Sequence, residues 1–321
     1  MKSRNSFTGL TLVLSTAAAF AQPYPARPVK IIAPYAPGGA VDLLAREIGN
    51  ALTQTLGSTF FVENRPGAGG NVGLSALAQA PADGYTLGMG AANMLAANRF
   101  VYRSLPFDTL KDFVPVGFIG RLPFVLVVHP KVQANGLKEM VAHMKATKSR
   151  YTYGSSGVGN TAHIFGELLR HRAGIELVHV PYKSSGEALR DLIAGRLEAQ
   201  FITPVELAGP IQRGAVKPIA VAAPGRISAL PNVPTFAELG FKGFDSPTWF
   251  GIIAPAGVPN EILNRLNREI RAALAKAELK TRLTQGSLEP QDMTPEQFRD
   301  FLRAEVKKWE TIVRDSRVTL E

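Results

Sequence analysis

Short apolar runs alternate along this chain with longer stretches whose apolar residues recur every three or four positions. Residues 29–34 form a first run that ends in a Pro/Gly loop and reads as a buried strand. Val41, Leu44, Ala45, Ile48, Leu52 and Leu56 then follow at helical spacing. Residues 59–63 read as the next strand, so the chain opens as β-α-β. A glycine-rich loop leads to a second helical series at Val72, Leu74, Ala76 and Leu77, and Asp83-Gly84 turns into a strand at 85–89. Further strands are expected at 124–128, 149–153, 178–180, 199–202, 219–222 and 248–253. Helices are expected at 137–145, 162–172, 186–194, 260–277 and 295–315. Residues 223–247, rich in Pro and Gly, read as a long connection. Short strands alternating with helices of this length indicate an α/β fold with largely parallel sheets. Thr294, Pro295 and Gln297 predict a capping box at the start of the last helix.

The first 21 residues break this pattern. Lys2 and Arg4 precede an apolar stretch from Phe7 to Phe20, and Ala19-Phe20-Ala21 has the small-residue form of a cleavage site. That is a secretory signal peptide, with cleavage expected after Ala21. No later stretch reaches the roughly 20 apolar residues of a membrane helix. The chain of 321 residues is long enough for two domains of about 150 residues each. It has no cysteine, which excludes disulfides and thiolate metal sites. Its formal charge of +10 falls to +8 when Lys2 and Arg4 are lost. The basic residues are scattered, with no basic run and no aromatic-interleaved stripe, so no nucleic-acid partner is expected.

Two loops carry the candidate chemistry. The first comprises Tyr35, Ala36, Pro37, Gly38 and Gly39, with Asp42 in the first turn of the helix that follows. The second comprises Ser155, Ser156, Gly157, Val158, Gly159, Asn160 and Thr161, with His163 just inside its helix. Each runs from a strand through glycines into a helix N-terminus, whose unpaired N–H groups and positive dipole end attract anions. Two such ends about one domain apart suggest a cleft that grips a small anion from both sides. A tight βα turn without a ligand would look the same for either loop alone. Asp42 suits the helix dipole as a cap, or braces the loop toward the cleft.

The second loop comes close to three other motifs and completes none in context. Residues 157–162 match a dinucleotide fingerprint, but mid-chain and with no acid ending the next strand. Asn160 stands where a phosphate-binding loop needs lysine. Residues 154–158 miss the last glycine of a nucleophile elbow. What remains is an array of hydroxyls at Ser155, Ser156 and Thr161 beside backbone donors, which suits a carboxylate. His129, His143, His171 and His179 show no metal-ligand spacing, so neither a metal nor a cofactor is expected. Tyr35 favours the cleft by its place in the first loop. Trp249 and Phe250 read as core, although one of them could line the cleft. A rival reading is a secreted hydrolase using Ser155 or Ser156 with His163, which lacks an orienting acid. A ligand-sensing role with a membrane partner would use the same cleft.

The ordered blocks 24–29, 34–42, 62–71, 83–87, 155–163, 178–183, 230–235, 249–251 and 254–257 resemble the Bug family, the TctC-like solute receptors of tripartite tricarboxylate transporters. The resemblance implies an α/β, two-lobed periplasmic binding protein of type II-like form, each lobe a mostly parallel sheet flanked by helices. It implies a first lobe of residues 22–122 plus 244–321, a second of 123–243, and a periplasmic location. It further implies a monomer that binds a small organic carboxylate and delivers it to membrane permease subunits, with no catalysis. The loops at 35–42 and 155–163 become the two jaws. After the strand at 199–201, many relatives carry an acid and then an amide, where this chain has Ile202 and Thr203. Thr203 therefore joins the candidate ligand contacts, and the missing acid argues against an ammonium-bearing ligand. Residues 90–94 also depart from a segment that is often hydroxyl-rich in the family.

Overall fold

The first apolar run becomes strand β1 (Val29–Ala33), followed by helix α1 (Ala40–Leu56) and β2 (Phe60–Asn64). The computed structural model describes residues 24–320; the signal-peptide segment and its cleavage site lie outside the described residues. Next come α2 (Asn71–Ala78), β3 (Thr86–Ala91), a π-helical turn (Asn93–Ala97), α3 (Asn98–Val101) and β4 (Phe113–Leu122). The chain then forms β5 (Phe124–Val128), α4 (Leu137–Thr147), β6 (Arg150–Ser155), α5 (Thr161–Ala173) and β7 (Glu176–Pro181). It continues through α6 (Ser185–Ile193), β8 (Ala199–Ile202), a 3-10 turn (Pro204–Glu206), α7 (Ala208–Gln212) and β9 (Lys217–Ala222). After a long connection come β10 (Thr248–Pro255), α8 (Asn260–Ala275), α9 (Ala277–Gln285), β11 (Glu289–Pro290) and α10 (Pro295–Ser316).

These strands make two sheets. The first has the order β11-β4-β10-β3-β1-β2 and the second β7-β6-β8-β5-β9. In the first, β1 pairs in parallel with β2 and β3, while β10 runs antiparallel between β3 and β4, and β11 antiparallel to β4. In the second, β6 pairs in parallel with β7 and β8, and β5 alone is reversed. Both sheets are thus mixed, each with most strands in one direction, and helices flank them. This is a two-lobed α/β fold.

The chain passes between the sheets twice, and the two passages lie side by side. Leu122 at the end of β4 is paired with Thr248 at the start of β10. Only Pro123 separates Leu122 from the start of β5 in the other sheet. Behind these passages the two sheets share one apolar core. Phe165 of α5 packs edge-on to Phe124 and stacks on Trp309 of α10, with centroids 5.9 and 6.2 Å away. Helix α10 therefore packs both on β4 and on α5 of the other sheet. Arg172 and Asp315 close that contact with a 2.7 Å ion pair. A second, smaller core lies on the far face of the second sheet around Val125, Leu192 and Ile202.

Besides short elements such as α3, α7 and β11, three differences from the sequence reading stand out. Strand β4 was not expected, because Pro115 and the nearby glycines imitate a break. Pro115 instead sits where the pairing with β10 shifts register between Ile252 and Ile253, and a bulge tolerates the missing N–H. The helix expected at 260–277 ends at Ala275: Lys276 is extended, with φ −64° and ψ 128°, and α9 starts afresh beyond it. The π-helical turn after β3 gave no periodic signal. The capping box at the last helix is present. The Gln297 amide donates to the Thr294 hydroxyl, and the Thr294 amide to the Gln297 side chain. Thr294→Ala should cost about 1 kcal/mol, read as a lower urea midpoint at unchanged slope.

Candidate functional site

Helix α1 begins at Gly39 with no side-chain cap, so its first N–H groups remain available. The loop before it is held from behind by Asp42. This carboxylate is 2% exposed and accepts hydrogen bonds from the Gly38 amide (3.1 Å), Arg46 Nε (3.1 Å) and Asn64 Nδ2 (2.9 Å). Burial opposes its ionisation, but the bonds from Arg46, Asn64 and Gly38 outweigh it and hold the carboxyl below its ordinary value. Asn64 also donates to the Tyr35 carbonyl, so one amide ties both ends of the loop. The Tyr35 hydroxyl donates to the Gly69 carbonyl and accepts from Asn93 Nδ2, which also reaches Gly69.

The second loop is built just as firmly. Asn160 caps α5 by accepting from the His163 amide at 2.9 Å, and its own amide group donates to Ser156 Oγ. His163 Nδ1 accepts from the Gly159 amide at 3.0 Å, and the ring stacks on His179 with centroids 3.9 Å apart. The Ser155 hydroxyl donates to the Gly157 carbonyl, which leaves the ring N–H of His179 as donor to Ser155 Oγ at 2.6 Å. Burial and the neighbouring His163 push the His179 pKa down to about 3, and burial also lowers His163. Both rings are neutral props of the loop at pH 7. The Ser–His163 pair of the hydrolase reading does not form: Ser155 is fully buried against His179, and Ser156 is engaged by Asn160.

These loops face each other across a cavity of about 70 Å³ between the two sheets. Tyr35, Ala36 and Gly39 line it on one side, and Ser156, Asn160 and Thr161 on the other. Thr203 lines it as well. Gly157 lies further out, in a wider cleft of about 620 Å³ that Tyr35 and Ser156 share with the inner cavity. Pro37, Gly38, Asp42, Ser155 and His163 do not line the cavity; the last three brace the loops from behind. The lobes touch across the mouth, where the Tyr102 hydroxyl donates to the Val158 carbonyl at 3.2 Å.

Several lining residues have no counterpart in the sequence reading. Ser184 caps α6, and Ser185 opens it, so a third helix start faces the cavity. The pair Ser184 and Glu187, spaced as a capping box, was the available signal. Asn93 enters from the π-helical turn. Phe124 and Phe201 form apolar wall together with Phe250, the one of the Trp249–Phe250 pair that faces the cavity; Trp249 beside it points into the core, as alternation along a strand requires. Glu206, on the 3-10 turn after β8, also lines the cavity and accepts from Ser185 Oγ at 2.8 and 2.9 Å. The expectation that the cleft lacks an acid is thereby overturned. The acid arrives four residues after the strand end, where a turn returns the chain to the cleft.

A comparison with protein families matches residues 44–318 to the tripartite tricarboxylate transporter family receptor. The protein BugT of Bordetella pertussis is 36% identical, over 94% of this chain and 93% of BugT. A UPF0065 protein from the tcbD-tcbE intergenic region of a Pseudomonas species is 33% identical, over 98% of this chain and 95% of that protein. Among solved structures, R. palustris Rpa4515 with adipate superposes with a TM-score of 0.88 at 33% identity, covering 92% of this chain and 99% of that one. MatC from Rhodopseudomonas palustris, with bound malate, gives 0.85 at 29% identity, covering 90% and 100%.

Proposed function

The chain belongs to the tripartite tricarboxylate transporter receptor family, a family of solute-binding proteins, and on that premise we propose the following role. The protein is exported to the periplasm, captures a small organic carboxylate between its lobes, and delivers it to membrane permease subunits. The observation that carries this reading is the convergence of the α1 and α5 N-termini, from opposite sheets, on one small cavity. Among the described residues, no lysine or arginine lines that cavity. An anion there must be satisfied by backbone N–H groups, hydroxyls and amides, which suits a carboxylate held at helix starts. Adipate and malate in two structural relatives support the same ligand class.

The mechanism is hinge closure. Residues 122–124 and 243–247 connect a lobe of residues 22–122 plus 244–321 to one of 123–243, and a ligand touching both jaws binds the closed state preferentially. One chain supplies both jaws, so a monomer is sufficient to form the site. Thr161 is the most exposed test of this account. A hydrogen bond to a charged group contributes about 1.5–3 kcal/mol, so Thr161→Ala should weaken carboxylate binding about 10- to 150-fold in titration calorimetry. Equal affinity in the variant removes Thr161 from the site.

A further inference from the structure

Glu206 is the one charged side chain among the described residues that lines the inner cavity. Its carboxylate accepts from Ser185 Oγ on both oxygens and, at 3.5 Å, from Thr203 Oγ1. A carboxylate offers about four acceptor positions, and no cation among the described residues pairs with this one. Gln200 braces the arrangement by donating to the Ser185 carbonyl at 3.0 Å, so Ser185 is held in place to meet the acid. The pair Ser185–Glu206 belongs to the second sheet's lobe, and Gly39 of the first lobe closes against Ser185.

We propose that Glu206 reads the far end of the ligand and selects amino carboxylates, whose ammonium group completes its hydrogen bonding and cancels its charge. This rests on the reading of the same cleft as a carboxylate site: the helix starts hold the acid end, and Glu206 holds the amine. A second carboxylate at that position would face Glu206 with no cation between them, so the pair could be held only with a proton taken up between them, whereas an ammonium needs none. An unsubstituted monocarboxylate leaves the acid buried and unpaired on closure. The protonation state agrees with this geometry. Burial raises Glu206 to about 7, against the lowering effect of Ser185 and Thr203, so the empty site holds a carboxyl that is only part ionised at neutral pH. An ammonium beside it restores full ionisation and releases a proton.

The test is titration calorimetry at pH 7 on wild type and Glu206→Gln. The probes are amino carboxylates of increasing chain length, the dicarboxylates of the same lengths and the unsubstituted acids. The expected result is that at least one amino carboxylate binds wild type about 10-fold or more tighter than its dicarboxylate and unsubstituted analogues. Its binding releases protons, seen as a dependence of the heat on buffer ionisation enthalpy. In Glu206→Gln this advantage and the proton release both disappear, while the unsubstituted acid binds at least as well as before. Tighter binding of a dicarboxylate or an unsubstituted acid by wild type overturns the selection of amines and leaves the carboxylate reading intact. An amino carboxylate whose affinity is unchanged in Glu206→Gln overturns it as well. If none of the acids binds either protein, the carboxylate reading itself falls, and this inference with it.

Discussion

Replacing Gly39 by leucine should reduce ligand affinity about 10- to 100-fold while leaving the unliganded protein close to its original stability. Gly39 is the N-cap of α1 with φ −93° and ψ 172°, a conformation open to any residue. The first lobe can therefore fold around the larger side chain. Loss of glycine at an N-cap should cost under about 1 kcal/mol. The closed cleft is a different matter. A Cβ at position 39 would lie 3.3 Å from Ser185 Oγ on the opposite lobe, tighter than ordinary van der Waals contact. The rest of a leucine side chain would occupy space between Ser185 and the jaw. Overpacking of this kind costs about 1–3 kcal/mol, and only the closed state bears it. The affinity falls because the lobes can no longer meet around the ligand. A urea melt of the unliganded variant and a calorimetric titration separate the two effects. Full affinity in Gly39→Leu would show that the jaws do not close at this point.

Asp42→Ala should be more damaging to the fold. It removes the acceptor for the Gly38 amide, Asn64 Nδ2 and Arg46 together, in a side chain that is almost wholly buried. Unsatisfied buried donors cost about 1–3 kcal/mol, and the loop from Tyr35 to Gly39 loses its brace. A loss of about 2–3 kcal/mol is expected at pH 7, with weaker ligand binding because the α1 jaw is no longer held in place. The pH dependence gives this a signature. The folded-state pKa of Asp42 lies below its ordinary value of 3.8, so its ionisation favours the native state. That contribution is present above the unfolded pKa and is lost as pH falls through the lower folded value. Wild type and Asp42→Ala should therefore differ most near neutrality and converge in acid. A difference that stays constant from pH 7 to strongly acidic conditions would mean that Asp42 acts through shape alone.

These predictions depend on residues of two kinds, and only one kind was legible in the sequence. The loops at 35–39 and 155–161 announced themselves because glycine and proline punctuate a strand-to-helix turn, and a helix start has a known chemistry. The apolar spacing along α1, α8 and α10 was equally plain, since one face of each is buried at three- and four-residue intervals. Strand β4 was hidden by Pro115, whose tolerance depends on a register shift in β10 some 140 residues away along the chain.

Within the site, proximity in sequence misled in both directions. Ser155 and His163 sit in the right loop yet turn inward, where neutral His179 links them. Ser185, Asn93 and Glu206 come from three other elements and meet only because the topology folds them onto one cavity. Glu206 in particular follows a proline turn with no motif around it. Its role rests on burial and on the absence of a nearby cation among the described residues, neither of which a local pattern encodes.

The central claim is that the two helix starts hold a carboxylate. It is tested most directly by thermal unfolding of the mature protein, refolded from denaturant so that any bound solute is removed. Small organic acids, amino carboxylates included, would be compared one by one with the primary amides that replace the same carboxylate. A ligand that binds only the native state raises the melting temperature. The account predicts a rise with at least one acid and its loss with the matching amide. No rise with any acid, or an equal rise with acid and amide, would contradict it.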